Sequence, residues 1–333
     1  MISIICPVFN EERYIEQCLE SIISQDIDKN TIEVLFIDGM STDRTRSIIQ
    51  VYTEIYSFVR MIDNPNRTVP YALNIGIKES RGDILIRIDA HSYFPPNFVS
   101  TLVGYLIALN ADNVGAVCIT DVVNKNIKTL AIKEVLMSKF GVGNSLFRIG
   151  VNTVKEVDTV PFGCWRKSIF EKHGLFDTRL ARNQDIEFNK RIIREGGKIY
   201  LVPDTYSIYY AREDFKQLAK NNFQNGKWNI LTVRYTGQSN SLSLRHFIPL
   251  VFILSLMIPV VFSILNSKII YISFLSITIY FSFLFMSSLI ISLKKRLSIL
   301  YLALSFITLH FSYGFGSLIG IIKSLSIKRS RPE

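Results

Sequence analysis

The sequence predicts an α/β fold with a mostly parallel sheet, followed by C-terminal transmembrane helices. Two observations lead to this fold class. In the first 120 residues, short apolar runs alternate with amphipathic stretches at helical spacing, which is the pattern of a sheet built from β-α-β units. Beyond about residue 245, three apolar segments without a charged residue follow one another, each about as long as a bilayer-spanning helix.

The alternating region defines the predicted sheet. The expected strands are residues 2–6, 32–37, 59–62 and 84–88, and the expected helices are residues 11–24, 45–56 and 69–80. Crossovers of this kind are right-handed and produce parallel strands, whose ligands bind beyond the carboxyl ends. The residues that follow each strand are therefore the first candidates for a site.

After about residue 124 the pattern is less regular. Helices are expected at residues 128–140, 185–194 and 215–233, and short strands at 157–160 and 199–202. We predict one α/β domain over residues 1–240 and a membrane tail over residues 241–333.

The tail contains three apolar segments, at about residues 247–265, 269–293 and 297–322. A helix needs about 20 apolar residues to cross the hydrocarbon core, and the first two segments are predicted to do so. The third is interrupted by polar and small residues, namely His310, Tyr313, Gly314, Gly316 and Gly320. We expect it either to cross the bilayer or to lie as an interfacial or re-entrant helix.

Basic residues around these segments bear on their topology. If the α/β domain is cytoplasmic, the basic loop at residues 294–296 returns to the same side, as the positive-inside rule predicts. A third crossing would place the last basic residues outside, against that rule; these are Lys323, Lys328, Arg329 and Arg331. The expectation is a multi-pass protein of the cell (inner) membrane with a cytoplasmic α/β domain.

The charge distribution argues against a nucleic-acid reader. The net charge is +10, but nine basic residues and a single acid, Glu333, lie from Arg245 onward. The excess therefore belongs to the tail, where it suits anionic lipid headgroups, and not to the α/β domain. The four cysteines have no C-x-x-C spacing and are expected to be buried thiols in a reducing compartment.

Two groups of polar residues follow predicted strands. Asp38 ends the second strand, where a carboxylate either accepts from a nucleobase or ribose or caps the next helix. Asp89 and His91 follow the very apolar fourth strand. A carboxylate oxygen and an imidazole nitrogen at this spacing suit Mn²⁺ or Mg²⁺ carrying a diphosphate; the alternatives are a turn aspartate and a packed histidine.

Two further groups belong to predicted helices. Asp185 and Glu187 stand at a helix start, where acids either complement the helix dipole or supply a general base for an acceptor hydroxyl. Gln224, Lys227 and Trp228 come shortly before the tail. They form either a binding group with an amide, a cation and an aromatic face, or part of an interfacial helix.

In order and position these groups resemble the family 2 glycosyltransferases, which have the GT-A fold with its Rossmann-like, nucleotide-diphospho-sugar-binding sheet. The resemblance runs from residue 2 to about 233, and its stretches are PVFNEERYIEQCLESI, FIDGMSTDRT, ALNIGIKESRGDILIRIDAHSYFP, NQDIEFNKR and QNGKW. The Asp-Ala-His variant, the segment VPFGCWRKSIFEKHG and the glycines of the tail are similar to the branch of succinoglycan-type glucosyltransferases.

The resemblance implies a role for each motif. It makes Asp185 the catalytic base, and it makes Asp89 a metal ligand together with His91, which replaces the second acid of the family's Asp-x-Asp. The implied metal is Mn²⁺ or Mg²⁺. The implied nucleotide-sugar ligands are Pro7, Asn10, Glu11, Asp38, Arg67, Asn74 and Asp89. The implied acceptor or phosphate side consists of Gln184 in place of Glu, Gln224, Lys227 in place of Arg, and Trp228.

The function implied by the resemblance is inverting transfer of glucose or another hexose from a UDP-sugar. The expected acceptor is a polyprenyl-diphosphate-linked saccharide at the lipid bilayer, in exopolysaccharide, capsule or cell-surface glycan biosynthesis. Alternatives are a polyprenyl-phosphate sugar synthase and a processive polysaccharide synthase, although the latter usually needs more spans. A non-catalytic membrane scaffold would be expected to lose carboxylates such as Asp89 and Asp185, and both are present.

Overall fold

The computed structural model describes residues 1–238 and 242–327. Three basic residues of the topology argument, Lys328, Arg329 and Arg331, lie outside this description. The described chain forms two compact units. Unit 1 comprises Met1–Ile119 and Leu146–Tyr210, and unit 2 comprises Thr120–Ser145 and the chain from Ala211 onward. The predicted division at residue 240 stays a prediction.

A nine-stranded sheet forms the centre of unit 1. Its strands are β1 (Ile2–Val8), β2 (Ile32–Asp38), β3 (Val59–Asp63), β4 (Ile84–Arg87), β5 (Ser92–Tyr93), β6 (Asn113–Asp121), β7 (Lys155–Glu156), β8 (Cys164–Arg166) and β9 (Ile199–Tyr210). Their order is β3-β2-β1-β4-β8-β6-β9-β5, with β7 on β9. The four strands predicted from the alternating region are thus neighbours in the sheet.

The sheet is mixed. β1 pairs in parallel with β2 and β4, and β2 pairs in parallel with β3. The pairs β4–β8, β6–β8, β5–β9 and β7–β9 are antiparallel. The predicted α/β class is therefore found, with more antiparallel pairing than the sequence indicated. Because β1, β2 and β4 are parallel, their carboxyl ends meet at one edge, as the sequence argument requires.

Helices cover both faces of this sheet. In unit 1 they are α1 (Ile15–Ile23), α2 (Thr45–Ile55), α3 (Val69–Glu79), α4 (Phe98–Ala108), α7 (Leu146–Ile149), α8 (Ser168–His173) and α9 (Gln184–Arg194). Side chains alternate along β1, so Ile4 and Cys6 pack on one face and Ile5 on the other. The first core includes α1, α2 and α4, and the second includes α3, α8 and α9.

Several predicted elements differ from the observed ones. The nine-residue strand β6 was not expected, and residues 157–160, predicted as a strand, are irregular. The predicted strand 199–202 continues to Tyr210, and Pro203 lies within β9 without ending it. The predicted helix 128–140 divides into α5 (Ile127–Leu136) and α6 (Lys139–Val142), the latter capped by the Ser138 hydroxyl.

The four cysteines are free and buried, as predicted. Burial raises the pKa of the Cys6, Cys118 and Cys164 thiols, because the thiolate loses its hydration. These residues therefore pack as small apolar side chains.

Unit 2 is helical and contains, besides α5 and α6, α10 (Phe215–Thr236), α11 (Ile248–Phe262), α12 (Ile270–Lys295) and α13 (Ile299–Leu325). Two apolar helices, Ser267–Lys295 and Ile299–Leu325, are long and apolar enough to cross a membrane. α11 has 15 residues, with Pro259 inside it. At about 1.5 Å per residue, α11 is shorter than the hydrocarbon core, which is about 30 Å thick.

The structure therefore shows a shorter first helix than predicted, and whether each segment crosses the bilayer stays a prediction. The first segment, predicted to span, forms a short helix, whereas the third, left open, forms a continuous helix of 27 residues. Its glycines do not break α13, because they lie at close helix–helix contacts. A Cβ on Gly316 would lie 2.0 Å from the Phe223 carbonyl oxygen, and one on Gly226 of α10 would lie 1.9 Å from the Tyr313 carbonyl oxygen.

We expect Gly226→Ala to lower the free energy of unfolding by about 1–3 kcal/mol, since the added methyl overlaps backbone that cannot move alone. Thermal unfolding of the detergent-purified protein measures this. The matched control is Gly104→Ala in α4, where an added Cβ meets nothing within 4 Å and favours the helix. Equal melting temperatures for the two variants would contradict the close contact.

Candidate active site

The turn after β2 is organised around Asp38, which is fully buried. Its Oδ1 accepts a 2.6 Å hydrogen bond from the Ser41 hydroxyl, and its Oδ2 accepts from the Ser41 N–H and from Arg46. Asn10, after β1, donates its N–H to the Ser41 hydroxyl and accepts from the Thr42 N–H. Asp38 thus shapes this turn in the observed conformation, and its contact with a nucleoside stays a prediction.

Glu11 and His91 form a pair at the carboxyl ends of β1 and β4. The Glu11 Oε1 lies 3.0 Å from the His91 Nδ1, and the Glu11 N–H donates to the Thr45 hydroxyl. The Tyr209 ring lies edge-on to the imidazole, with 5.8 Å between centroids. A carboxylate that accepts from Nδ1–H orients a neutral imidazole with its lone pair on Nε2, the arrangement typical of metal-binding histidines.

Arg87 joins two of the predicted site residues. Its Nε and Nη2 donate to Asp89 Oδ1 and Oδ2 at 3.0 and 3.2 Å. Its Nη1 lies 3.7 Å from Asp185 Oδ2. Burial alone would lower the pKa of the guanidinium, but the charges of Asp89 and Asp185 outweigh burial and raise it. The structure therefore brings Asp89 and Asp185, which are far apart in the sequence, to one buried cation.

The position of Asp185 follows from the packing of α9. Phe188, one turn along, is fully buried and stacks on Phe170 at 4.8 Å between ring centroids. Phe176 and Trp165 complete this aromatic cluster beneath the helix. The cluster holds the first turn of α9 at the edge of the sheet, where the Asp185 side chain is 32% exposed. An acceptor hydroxyl can reach a carboxylate with that exposure.

Asp89 and His91, which follow β4, offer ligand types that suit a divalent ion carrying a diphosphate. Asp89 supplies carboxylate oxygens, each with a lone pair beyond the one facing Arg87, and His91 supplies an imidazole held by Glu11. In residues 1–238 and 242–327, no three His, Cys, Asp or Glu side chains gather into a complete metal site.

Other predicted nucleotide ligands have different surroundings. Pro7 is a half-buried residue of β1, paired in register with Ile37. Arg67 is exposed and has a left-handed backbone conformation, with φ at 60°. The Asn74 amide donates to the Phe176 carbonyl and accepts from its N–H, so this side chain ties α3 to the aromatic cluster. Donor binding by these three residues stays a prediction.

Gln224, Lys227 and Trp228 lie on α10 in unit 2. The Lys227 ammonium lies 5.9 Å from the centre of the Trp228 indole, a cation–π contact. Their predicted acceptor or phosphate role stays a prediction. Gln184 is buried beside Asp185, and its Oε1 has no hydrogen-bond partner within the described residues.

Arg87 is the residue that sequence reasoning missed. The signal was present, because an arginine stands in the otherwise apolar run ILIRI. A charge on a buried strand needs a partner of opposite sign, and Asp89 follows two residues later. The contacts of Ser41 and Arg46 with Asp38 were missed as well.

Comparisons with known proteins are consistent with this geometry. The family model described as Glycosyl transferase family 2 matches residues 3–174. The chain belongs to that family. It is a glycosyltransferase, as the sequence motifs indicated.

Two curated relatives support the family assignment. A dolichyl N-acetyl-α-D-glucosaminyl phosphate 3-β-D-2,3-diacetamido-2,3-dideoxy-β-D-glucuronosyltransferase of Methanococcus voltae is 34% identical over 262 residues, covering 77% of this glycosyltransferase and 81% of the relative. The succinoglycan biosynthesis protein ExoA of Rhizobium meliloti (strain 1021) is 30% identical over 211 residues, covering 63% of each chain. The predicted resemblance to succinoglycan-type transferases is thereby confirmed.

Solved structures show the fold. The mannosyltransferase PcManGT of Pyrobaculum calidifontis, in complex with GDP-Man and Mn²⁺, aligns with a TM-score of 0.60 at 16% identity. The alignment covers 97% of this chain and 86% of that one. At such low identity the similarity supports the GT-A fold alone, and it confirms the predicted fold class.

Proposed function

We propose that this glycosyltransferase moves a hexose, with inversion, from a UDP-sugar to a saccharide carried on a polyprenyl phosphate or diphosphate. The observation that carries the proposal is the arrangement of Asp89 and Asp185 around Arg87 at the carboxyl edge of the sheet. Asp89 is the proposed metal ligand on the donor side, and Asp185 is partly exposed at the start of α9.

Asp185 is the proposed base. Its carboxylate takes the proton of the acceptor hydroxyl while that oxygen forms a bond to the anomeric carbon. The bond from the anomeric carbon to the diphosphate breaks, and its electron pair leaves with the nucleoside diphosphate. A single displacement of this kind inverts the anomeric configuration, so an α-linked donor would give a β-linked product.

Asp89 and His91 are the residues that would hold the divalent ion, with Glu11 fixing the imidazole. When bound, Mn²⁺ or Mg²⁺ supplies charge that stabilises the departing diphosphate. On the donor side, Asn10 and Asp38 shape the turn at the end of β2, and Arg67 is proposed to contact phosphate.

The acceptor proposal rests on the relatives and on the tail. The Methanococcus voltae relative is named for a dolichyl-phosphate-linked sugar acceptor, and ExoA is named for succinoglycan biosynthesis. Two apolar helices able to cross a bilayer would keep the enzyme where a polyprenyl-linked acceptor resides. We therefore propose a multi-pass protein of the cell membrane. The positive-inside argument for a cytoplasmic unit 1 required the first segment to cross, and α11 is shorter than the hydrocarbon core, so that orientation stays a prediction.

A donor panel tests the proposal. Membranes containing the enzyme receive UDP-glucose first, then other UDP- and GDP-hexoses, with a labelled polyprenyl-diphosphate or polyprenyl-phosphate saccharide. One added hexose per acceptor, absent with the Asp185→Asn enzyme, is expected. Transfer to polyprenyl phosphate lacking a sugar would indicate a polyprenyl-phosphate sugar synthase, and polymer formed without lipid-linked acceptor would indicate a processive synthase.

Glu11→Gln should weaken activation by Mn²⁺ by about 10–100-fold, because the amide no longer orients His91 as a carboxylate does. Titration of activity against Mn²⁺ measures this. The control is Glu12→Gln, whose carboxylate contacts Arg44 on the surface, away from His91. Equal Mn²⁺ requirements for the two variants would argue against metal binding by His91.

A further inference from the structure

Arg87 ends β4, and its side chain is only 10% exposed. The other residues of this strand, Ile84, Leu85 and Ile86, are apolar. Moving a guanidinium out of water is costly, and an aliphatic residue would fill a buried strand position at lower cost. The charge of Arg87 therefore needs an explanation beyond packing.

The first explanation is the pair with Asp89. Two parallel N–H donors, Nε and Nη2, hold the two carboxylate oxygens in a fork. Such a fork fixes the plane of the carboxylate as well as its position, which a lysine ammonium does not. Arg87 therefore sets the direction in which Asp89 presents its remaining lone pairs.

The second explanation concerns Nη1, the guanidinium nitrogen that does not contact Asp89. Arg87 Nη1 is buried and has no hydrogen-bond partner within the described residues, and it lies 3.7 Å from Asp185 Oδ2. Gln184 Oε1, at the start of α9, is also buried and has no hydrogen-bond partner within the described residues. Buried polar atoms without a partner are rare in native proteins, and catalytic hydrogen bonds often tighten only when substrate binds.

We propose that Arg87 is a positioning residue that holds the carboxylates of Asp89 and Asp185 at a fixed separation, so that they act as one unit in transfer. This inference rests on the proposed function. The positive charge between the carboxylates offsets their mutual repulsion. The Nη1 donor closes onto Asp185 when the acceptor enters, which orients the Asp185 oxygen that takes the proton.

A structural ion pair in the same sheet provides the contrast. Arg60 on β3 donates to Glu33 at 3.2 Å, and Glu33 also accepts from the Ser3 hydroxyl and the Arg81 N–H. None of these partners is a residue of the proposed site. Arg87, by comparison, contacts a proposed metal ligand and the proposed base.

The test compares Arg87→Met and Arg87→Lys with Arg60→Met in the full-length protein. The readouts are melting temperature, kcat and KM, and Mn²⁺ binding in the presence of UDP followed by electron paramagnetic resonance. We expect Arg87→Met to lower kcat about 100-fold, the scale of a misplaced catalytic group, and to weaken Mn²⁺ binding. Arg87→Lys should lower kcat and Mn²⁺ binding less than Arg87→Met does. Arg60→Met should leave kcat and Mn²⁺ binding at wild-type values.

A double variant tests the link to the base. In an Asp185→Asn background and at saturating Mn²⁺, Arg87→Met should lower kcat by clearly less than 100-fold, because one of the two carboxylates that Arg87 positions is already lost. Mn²⁺ binding should still weaken, because Asp89 is retained. An undiminished 100-fold loss in that background would overturn the coupling. Wild-type kcat and Mn²⁺ binding in a folded Arg87→Met protein would overturn the proposal altogether.

Two further outcomes are distinguishable. If Arg87→Met does not fold, Arg87→Lys carries the test, and a folded Arg87→Lys enzyme with wild-type kcat and Mn²⁺ binding would overturn the proposal. If the wild type transfers no sugar from any donor, the proposed function fails. The Mn²⁺ signal with UDP then still decides whether Arg87 holds Asp89, because weakened binding supports that contact and unchanged binding removes it.

Discussion

Replacing Asp185 by asparagine should lower kcat by about 10²–10⁴-fold while leaving donor binding close to that of the wild type. The amide keeps the shape of the side chain but does not take the acceptor proton at neutral pH. The donor side of the site, around Asp89 and His91, is retained in the variant. Product formation from a radiolabelled donor measures kcat, and displacement of a fluorescent UDP analogue measures donor binding.

The control for this variant is Asp204→Asn. Asp204 lies on β9 and accepts a hydrogen bond from the Tyr105 hydroxyl, so its loss removes a carboxylate without touching the proposed site. Wild-type turnover is expected for the control. Substantial residual turnover in Asp185→Asn would remove Asp185 from the base role, and parallel loss of donor binding would point to a structural role for Asp185 instead.

Removing divalent metal should abolish transfer, and Mn²⁺ or Mg²⁺ should restore it. The departing diphosphate carries growing negative charge, and a bound cation supplies several kcal/mol of stabilisation that the nearby carboxylates do not. Activity is measured after dialysis against EDTA and again after each metal is added in excess over the chelator. Full activity in EDTA would rule out the metal assignment.

The same experiment locates the ion. Asp89→Asn should raise the Mn²⁺ concentration needed for half-maximal activity, because the amide is a weaker ligand for a hard cation. Asp83→Asn serves as its control, since Asp83 pairs with the N-terminal ammonium at the opposite end of β4. A wild-type Mn²⁺ requirement in Asp89→Asn would place the ion elsewhere.

Local patterns were sufficient for the parallel half of the sheet. β1 to β4 are short apolar runs separated by amphipathic helices, and each lies within a residue or two of its predicted position. β6 and β8 were not predicted, because their partners come from distant parts of the chain. Val114, for example, pairs with Cys164. Antiparallel pairing across such separations leaves no periodic signal in the sequence.

In the tail, composition predicted apolar helices, but tertiary contacts decided their lengths and packing. Glycines in an isolated helix lower its stability, which is why the third segment was left open. In the folded unit the same glycines let the backbones of α10 and α13 approach closely, and α13 continues through them. The contacts that stabilise α13 are made with another helix, so they cannot be inferred from the sequence of this segment alone.

The sequence by itself determined the family, the positions of the strands that form the site's edge, and the residues that follow them. Only the tertiary structure decided which of those residues meet. Glu11 contacts His91 across 80 positions, Asp38 turns inward to Ser41 and Arg46, and Arg87 joins Asp89 to Asp185. The physical reason is that periodicity records local burial, whereas a charge finds its partner only when the chain folds.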